Sequence, residues 1–103
     1  MEYKVIYQPR AINDLDEITR YISKELYSQE SAVQLLHEVE AETSSLDFMP
    51  KRYALVSNAK LAKQGFRLIP VRNYLIFYVV NEKEKTVNII SVMYNKRDWG
   101  NLL

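Results

Sequence analysis

The sequence predicts an α+β domain in which a helical hairpin covers one face of a sheet. Three observations predict it. Apolar residues recur at helical spacing over two consecutive stretches, near 11–26 and 32–46. Two later runs, 74–80 and 87–94, are rich in the β-branched and aromatic residues of strands. The links within the helical pair and between the successive strands are short, so those neighbours pack on one another. The order is a short N-terminal strand, an antiparallel helical hairpin and a three-stranded antiparallel meander.

Each element has a local reason. Residues 3–7, Tyr-Lys-Val-Ile-Tyr, form a short β-prone opening that Gln8-Pro9 stops. Pro9 suits the first turn of a helix, and Ala11, Leu15, Ile18, Ile22 and Leu26 give that helix one apolar stripe, so it should run from about 9 to 26. Asp14, Asp16 and Glu17 come early and Arg20 and Lys24 late, in agreement with the helix dipole. Ser28 is placed to cap a second helix carrying Ala32, Leu35, Leu36, Val39, Thr43 and Leu46, which Met49-Pro50 ends. Residues 51–65 are basic and weakly patterned, with a helical turn expected around 58–63. Extended structure resumes at Phe66. Pro70 marks a strand end, an edge or a bulge, and Arg72-Asn73 a tight turn. The run at 74–80 reads as a central strand buried on both faces. The charged break at 82–85 then leads into the last strand, 87–94, and its tail Asn95-Lys96-Arg97-Asp98-Trp99.

Composition narrows the function classes. The chain has 103 residues, enough for one domain spanning 1–103. It has no cysteine and one histidine, His37, so neither a disulfide framework nor a histidine-rich metal site is expected. His37 falls on the polar side of the second helix and reads as a surface residue. No metal and no cofactor is expected. The start lacks a signal-peptide pattern, and no apolar run approaches the ~20 residues of a membrane span, so a cytoplasmic protein without membrane contact is expected. The net charge of +1 is unevenly divided: residues 1–50 carry −6 and residues 51–103 carry +7. A basic half of this kind suits a polyanion or an acidic partner.

Several segments carry a family likeness. Gly65-Phe66-Arg67-Leu68, residues 73–80 and residues 92–99 together resemble the RelE/ParE superfamily of toxins from bacterial type II toxin–antitoxin modules. The start, Tyr7-Gln8-Pro9-Arg10-Ala11 followed by Asp14-Leu15, and the exit from the second helix, Phe48-Met49-Pro50-Lys51-Arg52-Tyr53, are similar too. The resemblance spans essentially the whole chain and implies a toxin neutralised by a cognate antitoxin. It implies growth inhibition through translation, by ribosome-dependent cleavage of mRNA. The alternatives are a ParE-like poison of DNA gyrase without nuclease activity and a noncatalytic nucleic-acid- or partner-binding domain.

RNA cleavage requires activation of a 2′-hydroxyl, cations for the transition-state charge and an acid for the leaving oxygen. The resemblance places Arg67, Tyr94 and Arg97 at catalytic positions, and Lys60, Lys63 and Lys96 where they would hold nucleic-acid backbone. The same residues have structural counterparts. Arg67 would pair with Glu42 or Asp47, Tyr94 would close the core edge, Arg97 would meet the antitoxin and Trp99 would anchor the tail. The set departs from the nuclease pattern at three points, one being that Asp98 is the only candidate carboxylate expected in the cleft segments. Leu75 follows the tyrosine of the central strand where nucleases usually carry arginine, and Tyr94 stands where many carry histidine. Tyrosine, with a reference pKa near ~10, is a weak base at neutral pH.

Overall fold

The computed structural model describes residues 2–103. Its elements are β1 (Lys4–Tyr7), α1 (Pro9–Lys24), α2 (Gln29–Ser44), α3 (Ala59–Lys63), β2 (Arg67–Val71), β3 (Tyr74–Asn81), β4 (Thr86–Tyr94) and α4 (Trp99–Leu102). The helical hairpin and the β2–β3–β4 meander form as the pattern predicts. Sheet order is β1-β4-β3-β2, with β1 parallel to β4 and the other pairs antiparallel, so the sheet is mixed.

The two helices are short of their expected ends. α1 stops at Lys24, and Tyr27 then turns with φ 52° into α2. Leu26, which belongs to the apolar stripe, is left 57% exposed by this stop. Ser28 caps α2 by accepting from the Ser31 N–H. α2 tightens into a 3₁₀ turn at Ser45–Asp47, which keeps Leu46 buried. His37 is exposed.

Two apolar layers sandwich the sheet. On one face, Ala11, Leu15 and Ile22 of α1 and Ala32, Leu35 and Val39 of α2 pack on Ile69, Val71, Ile76, Tyr78, Val87, Ile89 and Val92. Full burial of a side chain of this size is worth about 1.5–3 kcal/mol. On the other face, Val56, Leu61, Phe66, Phe77 and Met93 form a smaller cluster that Leu68, Leu75, Ile90, Trp99 and Leu103 extend. The second layer has no long helix. The loop before β2, α3 and the C-terminal turn supply it, and Trp99 lies against Phe77 at a ring separation of 5.2 Å. The run at 74–80 is therefore covered on both faces, most completely at Ile76, Phe77 and Tyr78.

Proline and turn positions are explained by the sheet edge. Pro70 lies inside β2 and not at its end, and it is tolerated because β2 is an edge strand. Arg72 adopts φ 53° in the two-residue turn to β3, and its guanidinium grips Glu38 of α2 through two bonds of 2.8 and 2.6 Å. Tyr78 is fully buried and its hydroxyl donates to the Pro50 carbonyl at 2.7 Å. Tyr7 and Thr43 share a hydrogen bond of 2.6 Å between β1 and α2. Among the described residues, no buried side-chain nitrogen or oxygen lacks a partner.

Candidate functional site

A cleft of about 630 Å³ lies where α1 passes the ends of β3 and β4. Asp14, Glu17, Ile18 and Tyr21 of α1 form one wall, with Leu26 beyond them; Asn73, Tyr74, Val92, Met93, Tyr94 and Arg97 complete it. The helix supplies its share because positions 14, 17, 18 and 21 fall on one stripe beside the core stripe. Tyr74 and Tyr94 are register partners on β3 and β4 and meet edge to face, with centroids 5.8 Å apart. Tyr21 and Tyr94 are 55% and 42% exposed, so aromatic surface is open to solvent here. Burial pushes the Tyr74 hydroxyl pKa up, and the neighbouring Tyr94 and Tyr21 push it the same way.

The residues singled out from sequence fall in three places. Tyr94 and Arg97 share the cleft. Arg67 pairs with Tyr78, whereas Tyr94 pairs with Tyr74, so Arg67 lies four residues away along β3. That is about 13 Å along the strand before lateral separation is added. Its guanidinium donates to the Tyr53 carbonyl at 2.6 Å and reaches the Lys51 carbonyl at 3.4 Å. The expected pairing with Glu42 or Asp47 is absent. Glu42 instead accepts from the Tyr53 hydroxyl at 3.1 Å. Lys60 and Lys63 project from α3, whose Leu61 is buried in the second layer, on the sheet face opposite the hairpin. Lys96 is exposed in the turn after β4.

Lys60, Lys63, Lys96 and Arg97 form no ion pair among the described residues. Leu75, half-buried in the second layer, faces away from the cleft. Among the described residues no group of three His, Cys, Asp or Glu side chains is arranged to hold a metal ion. No helix is long and apolar enough to cross a membrane. The arrangement is a binding surface: an aromatic cleft with carboxylates on one wall and a free guanidinium on the other. Sequence reasoning missed Asp14, Glu17 and Tyr21 as cleft residues. Their helical spacing was the available signal.

Comparison with known proteins points one way. The family model for the ParE toxin of type II toxin–antitoxin systems, parDE, matches residues 5–99. No curated protein matches the sequence. Among solved structures, the chain is similar to a chromosomal ParDE toxin–antitoxin system from P. aeruginosa at 15% identity and TM-score 0.72, covering 90% of this chain and 96% of that one. It is also similar to the E. coli toxin RelE, as a double mutant in the free state, at 15% identity and TM-score 0.63, covering 99% and 93%. A RelBE toxin–antitoxin complex from Mycobacterium tuberculosis aligns at 19% identity and TM-score 0.61, covering 91% and 99%. At these identities the solved structures show the shared fold.

Proposed function

Because the chain belongs to the family of ParE toxins of type II toxin–antitoxin systems, we propose that it arrests growth by binding and poisoning DNA gyrase. In this reading it acts in the cytoplasm and cuts no RNA. A cognate antitoxin holds it inactive. The supporting observation is the dispersal of the cations. Arg67 is engaged by backbone carbonyls at one end of β3, Tyr94 and Arg97 lie at the other, and Lys60 and Lys63 project over the opposite face. A nuclease needs its acid, base and cations around one phosphate, within hydrogen-bond reach. A poison needs a surface, and the α1 cleft with Tyr21, Tyr94 and Arg97 is a surface of that kind.

The second reading, ribosome-dependent mRNA cleavage, draws its support from Tyr94 and Arg97 sharing one cleft. Induction of the chain without antitoxin separates the two. Gyrase poisoning gives DNA breaks and an SOS response while translation continues at first. Early translational arrest with mRNA cut within codons would favour the nuclease and overturn the gyrase reading. Absence of any growth arrest would overturn both and leave a noncatalytic partner-binding domain. Tyr94→Ala and Arg97→Ala are each expected to reduce toxicity.

A further inference from the structure

β4 changes its facing direction partway along. Phe77 pairs with Ser91 and Tyr78 with Ile89, which leaves Ile90 without a partner in the ladder. Before the bulge, Val87 and Ile89 face the hairpin. After it, Val92 faces the hairpin and Met93 packs in the second layer. Tyr94, in step with Val92, therefore lies in the α1 cleft beside Tyr74. A β4 without the bulge would keep odd-numbered residues on the hairpin side. Met93 would then face the hairpin, and Tyr94 would turn to the other face.

One side chain holds the bulge from outside the strand. The Asp14 carboxylate accepts from the Ser91 hydroxyl at 2.5 Å and from the Val92 N–H at 3.1 Å, through the same oxygen. Ser91 is fully buried, so its hydroxyl needs this partner. The Val92 N–H is satisfied by α1. No cation pairs with Asp14 among the described residues. Its charge is directed at the two donors of the bulge.

We propose that Asp14 is a positioning residue: its carboxylate pins the β4 bulge in the register that turns Tyr94, and with it the turn carrying Arg97, into the α1 cleft. The functional consequence rests on the reading that this cleft meets the target. The geometric part does not.

Asp14→Ala tests it, since it removes the one oxygen that both donors share. Two readouts go beyond stability: nuclear Overhauser contacts between the Tyr74 and Tyr94 rings, and amide exchange at Val92. The variant is expected to lose the ring contacts, to exchange the Val92 amide at least about tenfold faster and to lose toxicity. Ser91→Ala, which removes the shorter contact, is expected to shift both readouts in the same direction by less. It serves where Asp14→Ala does not fold. Thr43→Val, which deletes the bond to Tyr7 at the hairpin's far side, is expected to lower stability while keeping the ring contacts and toxicity. Retained ring contacts and unchanged Val92 exchange in Asp14→Ala would overturn the proposal, as would unchanged readouts in Ser91→Ala. Loss of the ring contacts with full toxicity would uphold the positioning role and overturn the cleft as the target-facing surface.

Discussion

Replacing Arg67 with alanine separates a structural role from a chemical one. The side chain ties the segment around Tyr53 to β2 through a 2.6 Å bond to the Tyr53 carbonyl and a 3.4 Å contact to the Lys51 carbonyl. A hydrogen bond from a charged donor contributes about 1.5–3 kcal/mol, and the longer contact lies near the geometric limit and adds little. Arg67 is half-buried, and the freed Tyr53 carbonyl gains access to water. The expected loss is therefore about 1–2 kcal/mol. For a domain of this length that lowers the melting temperature by about 4–12 °C. A domain with ordinary stability stays overwhelmingly folded after such a loss at 25 °C. Thermal melts followed by circular dichroism should show the shift, and induction at 25 °C should show toxicity within about twofold of wild type. Arg67→Lys keeps one donor and should lose less. A drop in toxicity of about tenfold or more, with a melting temperature within about 1 °C of wild type, would refute the reasoning and return Arg67 to a chemical role.

Other perturbations follow from single contacts. Trp99→Ala removes the ring that covers Phe77 and should cost about 2 kcal/mol, roughly half the value for a fully buried tryptophan, in urea unfolding followed by circular dichroism. Gly65→Ala should cost about 1–2 kcal/mol through its φ of +89° alone, because the added Cβ would meet Val79 Cγ1 at an ordinary 3.7 Å. An unchanged urea midpoint would contradict it. Burial raises the folded-state pKa of Tyr7 and Tyr78. Above the ordinary tyrosine value near ~10 the unfolded chain releases protons that the folded chain keeps, so stability is fully present below that pH and lost as pH rises further. Tyr7→Phe should give a shallower alkaline decline in melting temperature. On the acid side, Arg72 holds Glu38 below the ordinary carboxylate range, and Lys51 and Tyr3 do the same for Glu82. Their contribution is present above the unfolded glutamate pKa and lost as pH falls through the lowered values. Both groups are exposed, so added salt should flatten that acid decline in thermal melts.

The helices and the meander were legible because their signals are local. Apolar spacing marked α1 and α2, Ser28 marked the α2 cap and Asn58 now caps the short α3 that was expected near 58–63. The parallel pairing of β1 with β4 was not legible, since nothing in a four-residue strand names its partner across eighty residues of chain. The bulge was hidden for a related reason. Residues 89–93 are apolar or small at nearly every position because both faces are covered, so no alternation survives to show where the facing direction changes. Arg67 was visible as a cation, but its partners are backbone carbonyls, which leave no side-chain signature. Family likeness grouped Arg67 with Tyr94 and Arg97, and the register of β2 on β3 is what separates them.

The central claim is that this toxin works through a binding surface and not through RNA chemistry. The direct measurement adds purified, antitoxin-free protein in parallel to DNA gyrase with plasmid DNA and to translating ribosomes with a defined mRNA. The account predicts accumulation of cleaved gyrase–DNA complexes, weakened by Arg97→Ala, together with intact mRNA. Codon-internal mRNA cuts on the ribosome, with gyrase supercoiling undisturbed, would contradict it.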